Sequence, residues 1–172
     1  MKTIYLAGGC FWGMQKFFDQ FLGVIQTEVG YANGPDSAPA YEDVCKNSGH
    51  AETVRIDYEP DLVSLTELLK DYFLVIDPLS VNRQGHDSGI QYRTGIYYTD
   101  QDQLPEIEAV YQEEERKVGA ELAVELQPLK NFFPAEDYHQ KYLEKNPGGY
   151  CHIPDRYFTL TQGGGRFSCL SL

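Results

Sequence analysis

The residue whose surroundings most favour chemistry is Cys10. It follows Gly8 and Gly9, and an apolar stripe of Phe11, Met14, Phe18 and Phe21 or Leu22 continues after it at helical spacing. A short apolar run, Thr3 to Ala7, comes before the glycines, so the pattern predicts a strand, a tight turn and a helix with the thiol at the helix start. There, backbone N–H groups and the positive end of the helix dipole favour the thiolate, the form of cysteine that attacks. A buried cysteine filling space beside Phe11 and Trp12 is the competing reading, since free cysteine is often fully buried. Trp12 is the one tryptophan of the chain. With Phe11 it suits either the core or an apolar pocket for a small substrate that carries a methyl group near its reacting centre.

The elements that would position this thiol follow from hydrophobic period and turn chemistry. Gly23 to Val29 and Thr53 to Tyr58 read as strands, joined by a loop rich in Gly, Pro, Asn, Asp and Ser. Ser64 and Glu67 form a capping-box pattern ahead of a helix whose buried side is Leu65, Leu68, Leu69, Tyr72 and Phe73, with Pro78 as its stop. Thr94 to Thr99 reads as a strand, Gln101 to Gly119 as an acidic amphipathic helix, Leu122 to Leu126 as another strand and Glu136 to Lys145 as a short helix. This order implies an α+β two-layer sandwich with a mixed sheet around a ferredoxin-like βαββαβ core. We expect one domain over residues 1–172, with a flexible tail from about residue 146 that is rich in Pro and Gly and includes Gly163, Gly164 and Gly165.

Composition excludes several partners. The net charge of -12 repels a phosphate backbone, so nucleic acid is not expected. No apolar stretch approaches the ~18 residues of a membrane span, and the opening segment is too short for a secretory leader, so the expected address is the cytoplasm and no membrane partner is expected. The four cysteines, Cys10, Cys45, Cys151 and Cys169, lack the paired Cys-x-x-Cys spacing of a zinc site, and reduced reactive thiols suit a chain of this size better than a disulfide framework. His50, His86, His139 and His152 are scattered over loops and are read as hydrogen-bonding residues; no metal and no other cofactor is expected.

At Gly9-Cys10-Phe11-Trp12-Gly13 the chain resembles the peptide-methionine sulfoxide reductases of the A type. The likeness continues in family order through Gly30-Tyr31-Ala32-Asn33-Gly34, Tyr41-Glu42-Asp43-Val44-Cys45, Gly49-His50-Ala51-Glu52, Arg83-Gln84-Gly85-His86-Asp87, Gln91-Tyr92-Arg93, Tyr138-His139-Gln140 and Asn146-Pro147-Gly148-Gly149-Tyr150-Cys151. It covers about Ile4 to Cys151 and gives out in the tail.

The resemblance implies reduction of the S epimer of free or protein-bound methionine sulfoxide, a known step in the repair of oxidised methionine. By the same resemblance Cys10 attacks the sulfoxide sulfur and Glu52 is the acid that protonates its oxygen. Tyr41 and Tyr92 are the phenols that hydrogen-bond that oxygen, and Asp87 helps hold the substrate or its ordered water. Phe11 and Trp12 receive the methyl group. Taken alone, Glu52 reads as an exposed strand-end residue, Asp87 as a turn-capping one, and nothing local separates Tyr41 and Tyr92 from the other tyrosines. Cys151 matches the thiol that resolves a Cys10 sulfenic acid into a disulfide, which thioredoxin, or dithiothreitol in vitro, then reduces. Cys169 is either a second recycling thiol or an exposed terminal one; Cys45 reads as structural, and a monomer is the expected state. Two other classes compete: a thiol hydrolase with His50 or His139 as base, and a noncatalytic zinc module.

Overall fold

Side chains alternate along the first strand, Ile4 and Leu6 to one face and Tyr5 and Ala7 to the other, and the two faces define the two layers. The computed structural model describes residues 1–159. In chain order these form β1 (Lys2–Gly8), α1 (Phe11–Phe18), β2 (Val24–Ala32), α2 (Tyr41–Cys45), β3 (Ala51–Tyr58), α3 (Leu65–Val75), β4 (Arg83–Gln84), β5 (Asp87–Ser88), β6 (Thr94–Tyr98), α4 (Leu104–Val118), β7 (Glu125–Pro128), β8 (Phe132–Pro134), α5 (Tyr142–Lys145) and α6 (Arg156–Thr159).

Six strands make one sheet in the order β7-β6-β1-β3-β2-β8. Its inner four, β6-β1-β3-β2, are antiparallel neighbours and carry the expected βαββαβ connectivity, with α1 and α3 as crossovers. β7 joins β6 in parallel and β8 joins β2 antiparallel, so the sheet is mixed, as expected. One face carries the main core, in which Phe11, Met14, Phe17 and Phe18 of α1 and Leu68, Leu69 and Tyr72 of α3 pack on Ile4, Leu6, Val54 and Ile56. Each such side chain contributes roughly 1.5–3 kcal/mol by leaving water. Ala7, Ala32, Ala51 and Tyr97 form a smaller cluster on the other face, against Tyr5, Leu129 and Phe132.

The Ser64–Glu67 capping box is formed, with Ser64 Oγ accepting from the Glu67 amide at 3.1 Å and the Ser64 amide donating to the Glu67 carboxylate at 2.9 Å. α4 ends where Gly119 turns left-handed at φ 68. Elsewhere the elements differ from the sequence reading. The loop before β3 contains the helical turn α2, whose start is held by the Ala40 amide donating to Asp43 at 2.9 Å. The strand expected at Leu122 to Leu126 is shifted to Glu125–Pro128, and β8 was not foreseen. The helix expected over Glu136 to Lys145 is broken into a 3-10 turn, Asp137–His139, and α5. Tertiary hydrogen bonds break it: Gln140 Oε1 accepts from the Val29 amide at 3.0 Å, and the amide of Lys141, left-handed at φ 55, donates to Gln15 Oε1 at 2.8 Å.

Candidate active site

Cys10 is the N-cap of α1, where β1 turns into the helix through Gly9 at φ +86. A side chain at Gly9 would be strained and would meet Gln84 Cβ at 2.6 Å, so glycine is required there. The sequence placed the thiol at the helix start correctly but not its ionisation. Cys10 is 7% exposed, and its thiol is pushed well above the usual range by burial and by the Glu52 carboxylate; the Trp12 backbone N–H pulls the other way and does not win. The helix-end donors are there, yet desolvation outweighs them.

Glu52 is the second residue of β3 and is 3% exposed, not an exposed strand-end residue. Burial raises its carboxyl to about 8, with the Phe11 backbone N–H acting in the opposite sense and Asp87 adding to the rise. At neutral pH it is mostly an uncharged acid beside an uncharged thiol.

Tyr41, at the start of α2, has its phenol raised by burial, by hydrogen bonding with Cys45 and by the charges of Glu52 and Cys10. Tyr92, in the 3-10 turn before β6, is raised by burial and by Glu52, Asp87, Tyr41 and Cys10. Asp87, on β5, stands close enough to Glu52 and Cys10 to affect both, and one of its oxygens, Oδ2, is buried without a partner. The structure therefore gathers Cys10, Tyr41, Glu52, Asp87 and Tyr92 into one mutually interacting group drawn from five separate elements.

The aromatic pair divides. Phe11 is 1% exposed and packs on Tyr31 and His139, with ring centroids at 5.8 and 5.2 Å. Trp12 is part-exposed; its ring stacks on Tyr142 at 3.7 Å and 12°, and its N–H donates to His139 Nδ1 at 2.9 Å. That bond requires Nδ1 to be the bare nitrogen of the neutral ring, which puts the proton on Nε2. Trp12 is thus clamped between His139 and Tyr142, and Phe11 packs on the same His139 from within the core.

Cys151 is half-buried and lies over the first turn of α1: a Cβ built on Gly13 would stand 2.9 Å from its Sγ. Ile153, Tyr157 and Phe158 pack this C-terminal segment onto the main core, and the Tyr150 phenol hydrogen-bonds with Asp87, which helps to raise it to about 12. Cys169 lies outside the described residues. Cys45, read as structural, is exposed and stands beside the Tyr41 phenol on the same helical turn.

Several supporting residues escaped the sequence reading. Glu136 accepts from Tyr31 Oη at 3.0 Å and from the Tyr41 amide at 3.3 Å, tying α2 to β2, and Tyr142 buttresses Trp12. Partners 95 and 105 residues apart leave no local pattern, although His139 falls in a family motif. A cleft of about 200 Å³ opens beside Trp12 and Tyr142, between Gln15, Lys16 and Lys141.

The bases a thiol hydrolase would need are otherwise engaged. His50 bonds Ser48 Oγ at 2.8 Å and the Pro35 carbonyl at 2.9 Å, and His139 Nδ1 is held by Trp12. Among the described residues no group of three or more His, Cys, Asp or Glu side chains is arranged to hold a metal ion. No helix among them is long and apolar enough to cross a membrane.

A peptide methionine sulfoxide reductase MsrA from Lachnoclostridium phytofermentans is 56% identical over 153 residues, covering 88% of this chain and 92% of that protein. The crystal structure of Mxr1 from Saccharomyces cerevisiae in reduced form aligns at a TM-score of 0.84 and 37% identity, over 89% of this chain and 91% of the other. Mxr1 in complex with Trx2 aligns at 0.58 and 27% identity, over 82% and 84%. Residues 2–162 match the family described as peptide methionine sulfoxide reductase, and with that match over most of its length the chain belongs to this family.

Proposed function

We propose that this protein reduces the S epimer of free or protein-bound methionine sulfoxide, with Cys10 as the oxygen acceptor. The observation that carries the reading is the pairing of a buried thiol with a buried carboxyl that stays protonated near neutral pH. Sulfoxide sulfur is a poor electrophile until its oxygen is protonated. Glu52 supplies that proton, and the phenols of Tyr41 and Tyr92 donate hydrogen bonds as charge develops on the oxygen. The Cys10 sulfur attacks as its own proton passes to the emptied Glu52 carboxylate. The S–S bond this attack forms with the substrate sulfur then breaks as the protonated oxygen passes from that sulfur to Cys10, so thiol plus sulfoxide become sulfenic acid plus thioether with no proton left over. Asp87 orients the substrate through its free oxygen, and Trp12, backed by Phe11, receives the methyl group.

Cys151 then attacks the sulfenic acid, releasing water and leaving a Cys10–Cys151 disulfide. Thioredoxin reduces it, a reading supported by the Saccharomyces relative solved with Trx2. Residues 1–172 act as one unit whose C-terminal segment carries the resolving thiol, Cys151. We place the protein in the cytoplasm, where cysteines such as the three free ones described here stay reduced.

Each epimer of an N-blocked methionine sulfoxide, incubated with the protein and dithiothreitol, tests the reading. The S epimer is reduced and the R epimer is not, and Cys10→Ser abolishes turnover. A Cys10→Ser protein that still reduced the S epimer would refute it. Without reductant, Cys151→Ser still yields about one equivalent of methionine.

A further inference from the structure

His152 follows Cys151 and has no part in the chemistry so far. Its Nε2 lies 2.9 Å from the Gly8 carbonyl, which can only accept, so Nε2 carries the proton. Burial and the Gly8 contact keep the ring inside the glycine-lined turn that presents Cys10: a Cβ built on Gly9 would stand 3.3 Å from Nε2. Nδ1 is therefore a bare acceptor, and it is buried without a partner. A Cβ on Gly13 would stand 3.3 Å from Nδ1 and 2.9 Å from Cys151 Sγ, so both atoms border the same point on the first turn of α1. The Cys151 thiol meanwhile makes a long 3.6 Å contact to the Ile153 carbonyl. Asp87 stands near enough to favour a positive charge on the ring, and its own Oδ2 has no partner.

We infer that His152 Nδ1 accepts the Cys151 proton in the resolving step, with the Gly8 carbonyl fixing the tautomer that leaves Nδ1 free. The inference rests on Cys151 being the resolving thiol. Cys151 S–H gives its proton to Nδ1 and the sulfur attacks the Cys10 sulfenic sulfur. The S–S bond forms as the S–O bond breaks, and hydroxide departs with the proton from the imidazolium, as water. The Asp87 carboxylate steadies the imidazolium between these events. Burial keeps the ring below its ordinary range, neutral and able to accept at neutral pH.

Two variants separate a proton acceptor from a simple anchor. His152→Gln keeps an N–H for the Gly8 carbonyl and removes the base, while His152→Ala removes both. Each is mixed with one equivalent of the S epimer without reductant. Methionine release follows oxygen transfer, dimedone labelling follows the sulfenic acid, and peptide mapping follows the Cys10–Cys151 disulfide. Both variants should release methionine at the parent rate, and His152→Gln should close the disulfide about 100-fold more slowly while a dimedone adduct builds up. Disulfide closure at the parent rate in His152→Gln would overturn the inference, even if His152→Ala were slow. Loss of oxygen transfer in His152→Gln would also overturn it, by placing the ring in support of the pocket. If the parent protein itself formed no Cys10–Cys151 disulfide, the assignment of Cys151 would fall first, a result visible without either variant.

Discussion

Two buried carboxyl groups, Glu52 on β3 and Asp71 on α3, differ little in environment and greatly in consequence. They are 3% and 4% exposed, and burial raises them to about 8 and about 7. Glu52 acts electrostatically on Cys10 and on the phenols of Tyr41 and Tyr92, and in the proposed reaction its retained proton passes to the sulfoxide oxygen. Asp71 has its helix neighbour Glu67 as the charge that acts on it, and it sits beside Tyr72 and Phe73 in a packed helix. A displaced pKa marks a site where the other reacting groups converge, and elsewhere it is a cost of packing.

Removing the proton at each position separates the two most sharply. Glu52→Gln should slow oxygen transfer about 10²–10⁴-fold, whereas Asp71→Asn should leave it within about twofold, both read as methionine released in a single turnover. Equal losses in the two variants would erase the distinction. The wall of the pocket should matter less than its acid. Trp12→Ala should cost on the order of 1–3 kcal/mol in catalytic efficiency while Cys10 remains open to slow alkylation, and unchanged efficiency would remove Trp12 from substrate recognition.

The last effect concerns stability rather than turnover. A native carboxyl raised to about 7 holds its proton where the unfolded chain, with a value near 4, has released it. The native state then binds more protons than the unfolded one, and stability falls as pH rises from about 4 to about 7. Asp71→Asn should flatten that fall and unfold with a free energy about 1–3 kcal/mol above the parent at pH 8, measured by urea titration. A parallel pH dependence in the two proteins would show that Asp71 does not hold its proton.

The position of Cys10 was legible because two glycines between an apolar strand and an apolar stripe specify a turn and a helix start locally. Its ionisation was not, because burial arises only in the assembled fold and the groups that act on the thiol, Glu52, Asp87 and Cys151, come from distant parts of the chain. Glu52 shows the same limit from the other side: alternation along β3 locates the strand, but only the assembled layers exclude water from its carboxyl. The break in the helix after Glu136 depends on Gln140 reaching Val29 and Lys141 reaching Gln15, contacts 111 and 126 residues apart. β8, three residues ending in Pro134, is too short to show an alternation of its own. The βαββαβ core was readable because each of its elements carries its own period.

The pH dependence of the second-order rate of oxygen transfer, measured in single turnovers at substrate concentrations far below saturation, tests most directly whether a protonated Glu52 drives the reaction, because that rate reports the free enzyme. The rate should be level below about 8 and fall as pH rises through that value, where Glu52 loses its proton. A rate that instead climbed with pH across the same range would mean that Cys10 ionisation, not the acid on β3, limits the chemistry.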